Sequence, residues 1–174
     1  MRRLAEKLVV FAMNSCCAML PGQTAPVAPA AVVTFYAGGS LLKTALPTTK
    51  SAVFSGCIFD GQLMVGCITH LGFVAVRATP GAHVFSASLS SKHPAKNSHL
   101  EMTLEPGRNY FVRAVGEVSA FKHVVGARQG RLDLVSCDIA HDETRNSSPM
   151  EDKQLGPAYK AAALPDIPAC TATP

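Results

Sequence analysis

Three residues near the middle of the chain have side chains of the types that bind metal ions. His99 and Glu101 stand two residues apart in a run that alternates apolar and polar residues, so they share one face of a predicted strand. His83 follows a Pro-Gly turn and could approach them. A metal site needs three or four converging ligands. A small metal-binding protein or metal-dependent hydrolase that uses His83, His99 and Glu101 is therefore one hypothesis. The simpler interpretation is that the His83 ring bonds a neighbouring carbonyl.

The cysteines form a second set of reactive side chains. They are Cys16, Cys17, Cys57, Cys67, Cys137 and Cys170. No pair has the Cys-x-x-Cys spacing of a zinc knuckle or a thioredoxin-like motif. Cys57 and Cys67 flank Asp60-Gly61 and are a candidate disulfide. A tight two-residue hairpin would place Cys57 opposite Met64, so this disulfide requires a wider loop or a bulge. The alternative is a pair of buried free thiols.

Motifs for nucleophilic or phosphate chemistry are absent from the sequence. It has no Gly-x-Ser-x-Gly, no His-Glu-x-x-His and no phosphate-binding glycine loop. Asp133, Asp138, Asp142 and Glu143 are interpreted as a solvated rim and tail. The net charge is +4, and half of it lies in the first seven residues, which leaves too little to indicate nucleic acid or anionic lipid as a partner. We therefore predict no catalytic residues and no cofactor.

Three glycine turns must position these residues. They are Asp60-Gly61, Pro80-Gly81 and Pro106-Gly107. Proline presets φ at the second position of a turn, and glycine supplies φ > 0 at the third, so Gly81 and Gly107 are predicted at positive φ. Asp-Gly is typical of a two-residue hairpin. Residues 100–105 and 109–115 are predicted to pair as another hairpin across Pro106-Gly107.

The strand pattern predicts the fold class. Short β-prone runs recur between turn signals with no convincing helix, which indicates an all-β, antiparallel β-sandwich over residues 31–140. Further strands are predicted at residues 31–36, 52–59, 62–68, 73–78 and 83–89, and a last hairpin is predicted from residues 121–125 and 132–135. Phe85, Leu104, Tyr110 and Val112 occupy the apolar phase of these strands and are predicted to be buried.

Both ends of the chain differ from this domain. Residues 1–30 are predicted to be a signal peptide with a linker, because they have a basic start, an apolar run and an Ala28-Pro29-Ala30 stretch. Cys16 is a candidate for lipidation. Residues 141–174 lose periodicity and are predicted to be a disordered tail, with a helical turn near residues 159–164.

The motifs, taken in order, resemble a known family. The resemblance covers about residues 31–137 and rests on Phe35-Tyr36, Phe59-Asp60-Gly61, Gly72-Phe73, Pro80-Gly81-Ala82-His83, Leu104-Glu105-Pro106-Gly107 and Asn109-Tyr110-Phe111-Val112-Arg113. The chain resembles the bacterial domain-of-unknown-function family 2846, although that family commonly has Lys where this chain has Ala82. The resemblance implies a secreted or lipid-anchored β domain related to transthyretin-like and carboxypeptidase-regulatory-like sandwiches, and the predicted fold class is a transthyretin-like or immunoglobulin-like sandwich. It implies no catalytic residue.

Together these features predict an exported protein of the bacterial periplasm or cell envelope. We expect a non-enzymatic binding or structural module whose partner is an envelope protein or ligand that the sequence does not name. Contact with a membrane is expected only through the signal peptide or a lipid anchor. The metal hypothesis remains the alternative.

Overall fold

Alternating apolar side chains bring most of the described residues into two β-sheets that pack face to face. The computed structural model describes residues 28–38, 51–90, 92–96, 98–118, 127–151 and 154–159. Within these ranges lie ten strands and one short helix, α1 (Cys137–Thr144). The strands are β1 (Ala31–Ala37), β2 (Ser51–Val53), β3 (Gly56–Asp60), β4 (Leu63–Ile68), β5 (Gly72–Ala78), β6 (Gly81–Ser88), β7 (His99–Leu104), β8 (Asn109–Val118), β9 (Ala127–Val135) and β10 (Ser148–Pro149).

The first sheet has the order β10-β5-β1-β8-β9, and β2 follows β1 along the same edge of β8. The second sheet has the order β4-β3-β6-β7. Most pairings are antiparallel, as predicted. The β1–β8 and β10–β5 pairings are parallel. The predicted strand over residues 52–59 is divided between the sheets, because the chain crosses from one to the other at the buried Phe54.

The main core lies between the two sheets. Alternate residues of each strand point into it, as Val33 and Phe35 do in β1. Phe85, Leu104 and Val112 are fully buried, which confirms their predicted phase. Tyr110 is only partly buried, and its hydroxyl accepts a hydrogen bond from the Glu105 backbone N–H at 2.9 Å.

Helix α1 covers the outer face of the first sheet. A second apolar cluster forms there from Tyr36, Phe73, Phe111 and Ala140. The chain then adds β10 to the edge of β5. The predicted disordered tail is therefore wrong where the structure describes it, over residues 141–151 and 154–159. Its remaining residues, and most of the predicted turn near 159–164, lie outside the described residues.

The Asp60-Gly61 hairpin forms one residue later than predicted. Asp60 pairs with Leu63, so Gly61 and Gln62 make the turn, and Gly61 has φ 55°. The register then shifts by one residue between Ile58 and Phe59, which is a β-bulge. This bulge brings Cys57 opposite Cys67.

The two Pro-Gly turns carry the chain between the sheets and do not form hairpins. β5 and β8 lie in the first sheet, whereas β6 and β7 lie in the second. The predicted hairpin of residues 100–105 with 109–115 is therefore wrong. Gly81 at φ 132° and Gly107 at φ 70° have the predicted positive φ. The Arg108 N–H donates to the Glu105 carbonyl at 3.3 Å, which closes a β-turn with Pro106 second and Gly107 third.

Residues 132–135, which were predicted to form a last hairpin with residues 121–125, belong to β9. β9 pairs along β8, from Phe111 opposite Val135 to Val118 opposite Ala127. Gly130 lies within β9, where a Cβ would overlap Phe54 and Ala87. Residues 121–125 lie outside the described residues, as do residues 1–27 with Cys16. Among the described residues, no helix is long and apolar enough to cross a membrane.

Candidate functional site

One group of ionisable side chains is the core-end cluster, which we define as Asp60, His83 and Tyr159. The Nδ1 atom of His83 lies 2.6 Å from Oδ2 of Asp60. The Tyr159 hydroxyl donates to the same Oδ2 at 2.6 Å. The other nitrogen of His83, Nε2, lies 2.8 Å from the carbonyl oxygen of Thr79. The side chains of His83 and Asp60 are only 10% and 17% exposed, so the cluster is largely withdrawn from solvent.

Strand alternation explains why this cluster closes one end of the core. His83 is two residues from Phe85 in β6, and Asp60 is two residues from Ile58 in β3; Phe85 and Ile58 both belong to the core. The His83 ring stacks on the Phe85 ring, with centroids 5.4 Å apart and planes at 3°. The polar cluster is therefore the last layer of the core.

Hydrogen-bond chemistry fixes what the His83 ring must do. The two atoms that face its nitrogens are a carboxylate oxygen and a carbonyl oxygen, and both are acceptors. Both ring nitrogens must carry protons for both hydrogen bonds to form. The phenol of Tyr159 remains neutral, because burial raises its pKa and the hydrogen bond to Asp60 and the charge of that carboxylate raise it further. The Asp60 carboxylate thus faces a ring nitrogen of His83 and the phenol donor of Tyr159.

Tyr159 reaches this cluster through a segment that follows the edge of β4. Gly156 donates its backbone N–H to the Val65 carbonyl at 2.9 Å, and Leu155 forms an isolated bridge with Gly66. A Cβ at Gly156 would overlap the Met64 carbonyl, so only glycine permits this approach. We refer to residues 154–159 as the C-terminal segment.

A second polar group, the helix-side network, joins α1 to the first sheet. It consists of Tyr36, Arg113, Arg131, Asp133 and Glu143. The buried Tyr36 hydroxyl donates to Glu143 at 2.6 Å. Arg113 donates to Glu143 at 2.8 Å and to Asp133 at 3.4 Å, and Arg131 also pairs with Asp133. Burial raises the pKa of Tyr36, and the hydrogen bond to Glu143 adds to that effect.

The structure does not bring the predicted metal ligands together. His83 opposes Met102 on the core-facing side of β6. Glu101 opposes the exposed Val84, and His99 continues that outward row of β7. His83 therefore lies on the other face of the sheet from His99 and Glu101. Within the described ranges, no group of three or more His, Cys, Asp or Glu residues could hold a metal ion.

Cys57 and Cys67 are joined by a disulfide. With Gly61 and Gln62 in the turn, an unbroken hairpin would place Cys57 opposite Gly66, and the bulge in β4 shifts the register by one residue, to Cys67. Cys137, at the first residue of α1, is also disulfide-bonded. The candidate lipidation residue, Cys16, lies outside the described residues.

Comparison with protein-family models, curated proteins and solved structures gives no significant match.

Sequence reasoning placed Asp60 in a turn and missed its role as the acceptor of the core-end cluster. It also missed Tyr159 and the pairing of Arg113 with Glu143. The carbonyl contact of His83 was the one part of this chemistry that the sequence indicated. A useful signal was the alternation that sets Ile58 and Asp60 on one face, because an acid in the apolar phase of a strand requires a partner.

Proposed function

We propose that this chain is an exported β-sandwich of the bacterial cell envelope that acts as a non-enzymatic binding module. The observation that carries the proposal is the Cys57–Cys67 disulfide, together with the disulfide-bonded Cys137. Disulfides persist in oxidising compartments and are rare in the cytosol. The basic, apolar and small-residue pattern of residues 1–30 supports the same location.

The core-end cluster supports a non-catalytic role. A general base must reach the proton that it removes. Both ring nitrogens of His83 already have partners, and the ring is largely buried against Phe85. Asp60 receives hydrogen bonds from Tyr159 and from the Val84 backbone N–H, the latter at 3.4 Å. These side chains are used to hold the structure together.

The proposal extends to the type of sandwich, the family, the partner and the anchor. Two packed sheets joined by corner turns are in keeping with a transthyretin-like or immunoglobulin-like sandwich. Membership of the domain-of-unknown-function family 2846 is proposed on the turn motifs alone. The proposed partner is an envelope protein or a ligand, and we propose a lipid anchor only through Cys16.

Export is tested by producing the full chain with a C-terminal tag in a Gram-negative bacterium. We expect the protein in the periplasm, with an N-terminus near residue 30 and with Cys57 and Cys67 protected from thiol reagents. A matched variant, Val9→Asp with Val10→Asp, interrupts the apolar run and should retain the protein in the cytoplasm. A protein that begins at Met1 and remains in the cytosol would contradict the proposal, and recovery in the membrane that Cys16→Ser abolishes would identify a lipid anchor.

A further inference from the structure

A shallow groove lies on the outer face of the second sheet, on the opposite side from His83. Its volume is about 430 Å³. Val84 of β6 contributes apolar surface and is 41% exposed. The connection from β6 to β7 lies against this face and contributes Pro94 and Ala95, which are half-buried. A ligand would therefore meet an apolar surface here.

The polar lining of the groove consists of basic and neutral side chains. Lys96, His93 and His99 line it, together with Gln62 of the β3–β4 turn, and no acidic side chain of the described ranges does. His99 is held in place, because its Nε2 lies 3.0 Å from the Lys96 carbonyl oxygen. A lysine ammonium and the N–H groups of histidine and glutamine are donors suited to an oxyanion.

Two acidic residues lie close to the groove and define where an anion would sit. Asp60 precedes Gly61, but its carboxylate is occupied by His83 and Tyr159 on the core side. Glu101 opposes Val84 in β7 on the outer face. A bound anion would be repelled by Glu101 and attracted by Lys96.

We propose that this groove binds a small oxyanion, a carboxylate or a phosphate, that carries a short apolar group. The anion would lie against Lys96 and His93, and the apolar group would cover Val84 and Pro94. This inference rests on the proposed role as a binding module and names the class of ligand. It does not depend on where the protein is located, so export and ligand binding can fail separately.

The test is a titration of the purified, isotope-labelled full chain, followed by amide chemical shifts. Hexanoate and hexyl phosphate are the probes, and hexanol is the neutral control. We expect saturable shifts at Gln62, Val84 and Lys96 with at least one of the anions, and affinity for hexanol weaker by about tenfold or more, because it lacks the charge-assisted hydrogen bonds.

Two lysines of one connection provide a matched pair of variants. Lys96→Ala should weaken binding about tenfold. Lys92→Ala removes the same charge from an exposed residue that does not line the groove, so its effect should stay below about twofold. Glu101→Gln should strengthen binding, because it removes a repulsive charge. Equal losses in the two lysine variants, equal affinity for hexanol, or no shift at the groove with either anion would overturn the proposal.

Vesicles of phosphatidylglycerol distinguish a lipid headgroup from a free anion. Sedimentation with vesicles that Lys96→Ala abolishes would support the groove with a lipid as the source. Binding of hexanoate or hexyl phosphate without sedimentation would support it with a free anion as the source. Sedimentation that Lys96→Ala leaves unchanged, with no binding of either soluble anion, would overturn it.

Discussion

The core-end cluster and the helix-side network are built on the same contact in different surroundings. In each, a tyrosine hydroxyl donates to a carboxylate at 2.6 Å, and burial raises the pKa of the tyrosine. The carboxylate of the core-end cluster is 17% exposed and pairs with a histidine. Glu143 of the helix-side network is 35% exposed and pairs with an arginine.

The comparison shows how α1 and the C-terminal segment are held to the sandwich. The helix-side network joins α1 to the outer face of the first sheet, and the core-end cluster joins the C-terminal segment to the second sheet. An ion pair is worth more where water screens it less, and removal of one partner from a buried pair is costly. The core-end cluster should therefore contribute more to stability than the helix-side network.

The largest effect is expected from Asp60→Asn. The variant keeps the size of the side chain but removes the charge opposite His83 and the strongest acceptor of the Tyr159 hydroxyl. We expect the free energy of unfolding to fall by about 3 kcal/mol, measured by urea denaturation. Glu105→Gln is the control, because it removes an exposed ion pair with Arg108 and should cost less than about 1 kcal/mol. Similar losses in the two variants would contradict the account.

Glu143→Gln should have an intermediate effect. It weakens the contacts of the carboxylate with Tyr36 and Arg113, which are partly solvated. We expect a loss of about 1–2 kcal/mol that decreases at high salt. The neighbouring variant Asp142→Asn breaks only an exposed pair with Arg145 on the same helix and should change stability by less than about 0.5 kcal/mol. A loss in Glu143→Gln larger than that in Asp60→Asn would reverse the comparison.

Tyr159→Phe should cost about 1 kcal/mol at neutral pH, because one hydrogen bond to a carboxylate is lost. It should also change the response to alkali. The pKa of Tyr159 is raised in the folded state, so the folded protein keeps a proton that the unfolded chain releases above about pH 10. The wild-type protein therefore loses stability as the pH rises past that point. Urea denaturation across this range should give a flatter dependence for Tyr159→Phe, and an unchanged slope would contradict the raised pKa.

The smallest effect on stability is expected at Ser86. This residue belongs to neither polar cluster and serves as a reference for both. Its hydroxyl is buried and has no hydrogen-bond partner among the residues that the structure describes. A buried polar group without a partner is destabilising. Ser86→Ala should therefore leave stability unchanged or raise it by up to about 1 kcal/mol, as measured by thermal unfolding. A clear loss would mean that the hydroxyl has a partner in solution.

The sequence predicted local conformation better than it predicted strand partners. Gly81 and Gly107 have positive φ because the steric requirement of the turn acts within a few residues. The same turns do not reveal whether the next strand pairs with the previous one. β7 and β8 are separated by a tight turn and yet belong to different sheets, because each buries its apolar face in the same core.

The candidate sites show the same difference between local conformation, which the sequence predicts, and long-range contacts, which it does not. Alternation correctly sets His99 and Glu101 on one face, but the position of His83 on the other face depends on its register with Met102. Tyr159 could not be predicted, because residues 141–174 lack periodicity and the contact with Asp60 spans 99 positions. Arg113 and Glu143 likewise meet only after α1 has docked on the first sheet.

Amide hydrogen exchange in the two charge-removing variants tests most directly whether these contacts hold α1 and the C-terminal segment to the sandwich. Local opening accelerates exchange only where structure is lost. We predict that Asp60→Asn accelerates exchange at Gly156 and Tyr159 and leaves Ala140 of α1 unchanged. Glu143→Gln should accelerate exchange at Ala140 and leave Gly156 unchanged. Equal acceleration at both places in both variants, or at neither, would contradict the account.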